Sequence, residues 1–398
     1  MLKDVLEKAK EIQEEIVKHR RILHESPEVG MILPMTSEYV KKQLTDMGYS
    51  PKNIGEYGVL AVLGENNKGK TVLLRADMDA LPIPEDSDEP FKSTNGNMHA
   101  CGHDMHTSML LGAAKILKQY EDKISGTIKM IFQPGEEIFK GASDMIKHGV
   151  LENPKVDIAM MIHVGTGMPL SHGIFSKPVK GPFTATSDTF RIEIQGKGGH
   201  GAMPETTIDA NLPAANILLA LDSIKSKEIP AMDAVVLTVG QIHGGNAANI
   251  IPDSSFLEGT IRTFSEDNRK KIKNRIIEIS NGIASAYRVK ANITFRNSCP
   301  SVIIDKDAAD IFNKTVIDIF GENYLVPFDN LVPGGKVMGS EDFAFITEHV
   351  PSVMSFLSTG DYREGFIYPP HHPKVKFSEE PLYRGAAMYA GFALNYLS

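Results

Sequence analysis

Cysteine is scarce in this chain, with two in 398 residues. Two thiols cannot staple a fold of this size. Cys299, directly before Pro300, reads as a small buried residue rather than a disulfide partner, so a reducing, cytoplasmic setting is expected. Excess positive charge is lacking too: 42 basic against 50 acidic side chains leave a formal net charge of -8, which argues against nucleic acid and anionic membranes as partners. No apolar run approaches the length of a membrane span, and no charged-then-apolar leader opens the chain. Met1 to Leu23 instead repeats Leu2, Val5, Leu6, Ala9, Ile12, Ile16 and Leu23 at helical spacing, which predicts an amphipathic helix. Internal repeats and low-complexity tracts are also missing. With 42% hydrophobic and 23% charged residues, the composition suits a soluble enzyme with a large core and length enough for two domains.

What the chain does have is concentrated. His99-Ala100-Cys101-Gly102-His103-Asp104-Met105-His106 packs a thiol, three imidazoles and a carboxylate into one short stretch, and donors at this density suit a divalent transition metal. Cys101 and His103 stand two apart. A turning segment lets both reach one ion, whereas a helix would splay them by roughly 200°, so a loop is expected. Asp104 is then expected to N-cap a helix over Met105 to Leu117, placing the loop at a helix N-terminus whose dipole favours thiolate over thiol.

Further donors follow segments that read as buried strands. Thr127 to Phe132 breaks into Gln133-Pro134-Gly135-Glu136-Glu137, which puts adjacent carboxylates at a strand's C-terminal end, where open α/β sheets place ligands. Val156 to Ile162 delivers His163, and Ser352 to Leu357 leads through a loop to His371-His372. Singly, each would be an ordinary satisfied or solvated side chain; together they make a site. One Glu of a pair can ligate a metal while the other takes a proton from a metal-bound water. Asp77 and Asp79, spaced by two at another strand end, lie on the same side of an extended chain, and one of them could orient a ligating imidazole.

The middle of the chain has a different rhythm. From Asp188 the pattern predicts strand (Thr189 to Ile194), helix (Ile208 to Ile224), two strands (Ala234 to Ile242, Phe256 to Phe264), helix (Glu266 to Tyr287) and strand (Val289 to Phe295), the ferredoxin-like β-α-β-β-α-β order. The flanking parts alternate strands with helices, as an α/β sheet does. Proline-bearing linkers at 180–183 and 297–300 give the expected organisation: a catalytic domain in two parts, 1–183 and 298–398, with a lid domain inserted at 184–297.

Eight motifs then fall in a telling order: Arg75 to Pro82, His99 to His106, Gln133 to Glu137, Gly196 to His200, Asn249 to Pro252, Gly259 to Phe264, Gly339 to Phe343 and His371 to Pro373. In this order the chain resembles the aminoacylase and carboxypeptidase family of di-metal peptidases, in its amidohydrolase branch. The resemblance implies a mixed-sheet α/β hydrolase domain with a ferredoxin-like lid that also dimerises, and two divalent ions (Zn, Mn, Ni or Co) per subunit. Their ligands would be Cys101, His103, Glu137, His163 and His371, with Cys101 bridging. Glu136 would be the general base to a metal-bridging hydroxide and Asp79 the acid that orients the site. His200 would polarise the scissile carbonyl, often from the partner subunit's lid, while Arg262 binds the substrate carboxylate and Asn249 adds a substrate contact. Asp77 and His372 stay open between ligand and support, and Glu205 stands where relatives often carry histidine. The implied activity is hydrolysis of N-acyl-L-amino acids inside a cytoplasmic homodimer. A dipeptidase using the same centre is the alternative, and a metal-bearing binding protein without turnover is the remote one.

Overall fold

The computed structural model describes residues 2–65 and 67–398. They divide into two compact units, one of residues up to 183 with 302–336 and 341–398, the other of 184–301 with 337–340. The first is built on a mixed sheet whose strands run in the order Lys52–Ile54, Gly58–Leu63, Gly126–Gln133, Lys70–Asp77, Ile158–Met168, Ser352–Asp361, Phe175–Lys177 and Leu325–Pro327. Its centre is parallel: Gly126–Gln133, Lys70–Asp77, Ile158–Met168 and Ser352–Asp361 pair in one direction. Every residue of Gly126–Gln133 is buried, and every one but the first of Lys70–Asp77, as expected of parallel strands covered on both faces. Their shared direction brings the C-terminal ends of four strands to one rim, which is where the donors converge.

Helix His103–Lys118 packs on Lys70–Asp77, Gln13–Glu25 and Leu382–Leu397. Its start differs from expectation. Gly102, at φ 88°, is the N-cap, a left-handed conformation that favours glycine. Asp104 sits inside the first turn instead, because its carboxylate takes Arg20 Nε at 3.1 Å and faces His24 Nδ1 at 2.9 Å. The expected N-terminal helix is two, Leu2–Glu11 and Gln13–Glu25; the Ile12 carbonyl accepts the Glu15 and Ile16 amides and so begins the second. Met1 lies outside the described residues.

In the second unit the antiparallel strands run Val235–Gly244, Ser254–Thr263, Ser187–Gln195 and Lys290–Cys299, with helices Asn211–Ser223 and Glu266–Tyr287. Burial alternates along Ser254–Thr263, and Phe190, Ile192, Leu257, Ile261, Ile217 and Ile272 form a separate core. The segment read as a linker at 297–300 is the end of a strand: Lys290–Cys299 shifts register after Arg296, with Asn297 at φ 49°. Among the described residues no helix is long and apolar enough to cross a membrane.

Candidate metal centre and substrate residues

The first unit brings Cys101, His103, Glu136, Glu137, His163 and His371 together. Cys101 Sγ lies 3.5 Å from His163 Nε2, and His371 Nε2 lies 3.5 Å from Glu137 Oε1. His103 Nε2 is 3.9 Å from Glu137 Oε1 and 4.0 Å from Glu136 Oε2. Three trios, Cys101–His103–His163, Cys101–Glu137–His371 and His103–Glu136–Glu137, each hold their ligating atoms within 4.8 Å. Cys101 belongs to two of them. The loop bearing His371 is tied to the cysteine loop, since the His371 amide donates to Ala100 O at 2.9 Å.

Backbone carbonyls decide how the imidazoles present themselves. Asp79 O lies 2.8 Å from His103 Nδ1 and Val164 O lies 2.7 Å from His163 Nδ1. A carbonyl only accepts, so each Nδ1 carries the proton and each Nε2 offers a lone pair to the cluster. Asp79 also accepts the amides of Glu136 at 3.0 Å and Glu137 at 3.1 Å, which fixes the turn carrying both carboxylates.

Burial makes the charge balance lopsided. Asp77, Asp79, Glu136, Glu341 and Asp342 are buried and Glu137 nearly so, with Arg75 the guanidinium among them. Burial, then the Glu341 and Glu137 charges, push Glu136 well above the usual carboxylate range. Burial likewise raises Glu137 to about 7, against the pull of His103. Cys101 departs from the expected thiolate: burial and then the Glu137 charge raise it well above an ordinary thiol. Burial and His106 hold His163 neutral, the ligating form. His103 goes the other way, its proton held by Asp77 and Cys101 against burial. The raised groups share one remedy, a positive charge in the cluster, which would draw the proton from Glu136, Glu137 and Cys101 and free His103 Nε2 to ligate. His103 Nε2 and Glu137 Oε1 are buried without a hydrogen-bond partner, and an unpaired buried polar atom costs about 1–3 kcal/mol. Thiolate, imidazole and carboxylate donors fit divalent metal, and the orphaned atoms face one another across the space it would fill.

Three supports lie inside motifs the sequence singled out without giving them a role. Arg75 Nη2 reaches Asp342 Oδ1 at 2.8 Å and Glu341 Oε1 at 2.9 Å, while the Asp342 amide donates to Glu136 Oε1 at 3.3 Å. Beyond the motifs, the physical signal was Arg75 itself, a cation inside a core strand. His372 is turned elsewhere: its Nδ1 accepts the Lys374 amide and its ring stacks on Tyr368.

His200, Asn249 and Arg262 belong to the second unit. A short ladder pairs Gly199–His200 with Ile250–Ile251, and the Gly201 amide donates to Asn249 O at 2.8 Å. A Cβ on Gly201 would stand 3.0 Å from that oxygen, so glycine permits the approach that sets His200 beside Asn249. His200 Nδ1 accepts the Ala202 amide at 3.0 Å, so its neutral ring carries the proton on Nε2 and presents a donor. Arg262 Nη1 holds Met338 O and Ser340 Oγ, each at 3.1 Å, and among the described residues nothing takes its Nε–Nη2 edge. Glu205 is exposed on the turn Pro204–Thr206.

Residues 73–395 match the model of peptidase family M20/M25/M40. Among curated proteins the chain is 38% identical to IAA-amino acid hydrolase ILR1-like 4 of Arabidopsis thaliana, over 95% of this chain and 84% of that one. It is 37% identical to thermostable carboxypeptidase 2 of Saccharolobus solfataricus, over 99% of each. Its fold is similar to the crystal structure of the YXEP protein of Bacillus subtilis, described as a dinuclear metal binding peptidase, with a TM-score of 0.81, 29% identity, and coverage of 98% and 99%.

Proposed function

We propose, from the premise that the chain belongs to peptidase family M20/M25/M40, that this hydrolase cleaves the amide bond of N-acyl-L-amino acids. The observation that carries the reading is Cys101, shared by a trio with His103 and His163 and a trio with Glu137 and His371. Two divalent ions held by these five residues would supply an activated water and a polarised acyl carbonyl. Glu136 stands off those two trios, anchored by the Asp342 amide, and serves as the base that takes the water's proton and returns it to the leaving amine. Asp79 keeps both carboxylates in place through their amides. The His200 Nε2–H donates to the carbonyl oxygen as negative charge develops there. Arg262 takes the substrate carboxylate on its unclaimed edge, with Asn249 next to His200 as a further contact. In this reading the active species is a homodimer whose second units contribute His200, and the two cysteines suit a cytoplasmic setting.

A dipeptidase is the second reading, favoured by the carboxypeptidase relative and by Glu205, an acid on the turn after His200 that could receive a dipeptide's ammonium. The deciding experiment reconstitutes chelator-stripped protein with Zn, Mn, Ni or Co and offers N-acetyl, N-benzoyl and indole-acetyl amino acids beside dipeptides. Metal-dependent release of the amino acid from acyl substrates is the expected result. Turnover of dipeptides alone would replace the deacylase reading with the dipeptidase one.

A further inference from the structure

A fourth trio, Asp77–His103–His106, also brings its ligating atoms within 4.8 Å and so competes as a metal site. Its hydrogen bonds say otherwise. His106 is fully buried beside two of the three candidate imidazole ligands, its ring centroid 4.6 Å from that of His163 and 5.3 Å from that of His103. Its Nε2 lies 2.8 Å from the Val164 amide, a group that can only donate, so Nε2 spends its lone pair there. The proton of the neutral ring must then sit on Nδ1, which faces Asp77 Oδ1 at 2.6 Å. Asp77 Oδ2 in turn takes Arg75 Nη1 at 2.6 Å. Neither nitrogen of His106 has a lone pair left for an ion.

Those bonds end beside His163. The Val164 amide that His106 holds belongs to the peptide immediately after that residue, and the Val164 carbonyl accepts the hydrogen bond from His163 Nδ1. We propose that His106 and Asp77 are positioning residues: the chain Arg75–Asp77–His106 clamps Val164 by its amide, and the carbonyl of that same residue fixes the tautomer and direction of His163, without either positioning residue joining the metal's own ligands. The proposal rests on the metal-centre reading above. It assigns Asp77, whose role the sequence left open, to support.

Ring-nitrogen NMR of the uniformly ¹⁵N-labelled full chain, metal-free and then titrated with zinc, tests this directly. His106 is assigned by the signal lost in His106→Gln, or by selective labelling should that variant not fold. The expected pattern for His106 is a proton on Nδ1 that persists through the titration, while His163 Nε2 shifts as zinc binds. A zinc-induced shift of either His106 nitrogen comparable to that of His163 would overturn the assignment. In parallel, chelator competition should show His106→Gln keeping the wild-type number of zinc ions with affinity weaker by roughly 10- to 100-fold, as for removal of other outer supports, whereas His163→Gln loses an ion. An unchanged affinity, or loss of an ion equal to that in His163→Gln, would each sink the positioning role. Failure of the centre itself looks different, because then the wild type would bind no zinc and His163 would not shift either.

Discussion

Glu136 and Glu137 are neighbours on one turn, yet their surroundings differ and the proposed function gives them different chemistry. Glu137 Oε1 is buried without a hydrogen bond and lies within 4 Å of both His103 Nε2 and His371 Nε2, whereas Glu136 is held by the Asp342 amide. Glu136→Gln is therefore expected to retain metal and lose kcat by roughly 10²-fold or more, and Glu137→Gln to lose metal affinity first. Metal analysis with steady-state kinetics checks this; equal metal loss in both variants would end the division of roles. At this scale the donors were legible in the sequence because they are dense or sit at strand ends. The pairing of Arg75 with Glu341 and Asp342 was not, although their motifs were named, since the Arg75–Asp342 contact spans 267 positions. No spacing rule reaches that far. The helix N-terminus beside Cys101 is visible locally, but the burial and then the Glu137 charge that raise the metal-free thiol are not.

Strand and helix patterns carried well at the level of elements, where periodicity reports burial. Glu266–Tyr287 was read to the residue, its cap Ser265 accepting the Asn268 amide. The start of helix His103–Lys118 was read two residues late because Asp104 looks like a cap locally and serves instead as a dock for Gln13–Glu25. That docking is pH-sensitive. His24 faces Asp104, Glu85, Arg20 and His99; burial alone would lower it, but Asp104 and Glu85 outweigh burial and raise it from 6.5 to about 9. A group whose folded pKa is raised stabilises fully below its unfolded value and loses that contribution as pH climbs to the folded one. The window is thus about 6.5 to 9, and the ceiling is on the order of 3 kcal/mol. Asp104, held far below its usual range by His24 and Arg20 against burial, gives up its share only in acid, below 3.8. Thermal melts in chelator should show the wild type losing stability from pH 6.5 to 9, with His24→Asn less stable at pH 6 and flatter across that range. Parallel slopes for the two proteins would remove His24 as the source.

On the scale of the whole molecule, the chemistry is divided between two units. The candidate metal ligands all lie in the first, and His200, Asn249 and Arg262 in the second. The ferredoxin-like order of the second unit was legible because its strands alternate and its helices are long, whereas residues 337–340, which pack with it, carry no pattern that would announce it. The division has a kinetic consequence. Arg262 has nothing to offer the metals. On the proposed reading, its part in turnover is to hold the substrate carboxylate. Met338 O and Ser340 Oγ fix its Nη1, so the guanidinium waits with one edge oriented. Loss of a charged, two-pronged contact typically costs about 1.5–3 kcal/mol, which corresponds to roughly 10- to 150-fold in kcat/KM. Arg262→Ala should show that decrease on N-acyl amino acids with its metal content unchanged. The matching N-acyl amino amides lack the carboxylate, so they should be poor substrates for the wild type and hardly worse for the variant. An equal decrease on acid and amide, with fold and metal intact, would make Arg262 a brace for the segment 337–340 and move carboxylate recognition to another cation.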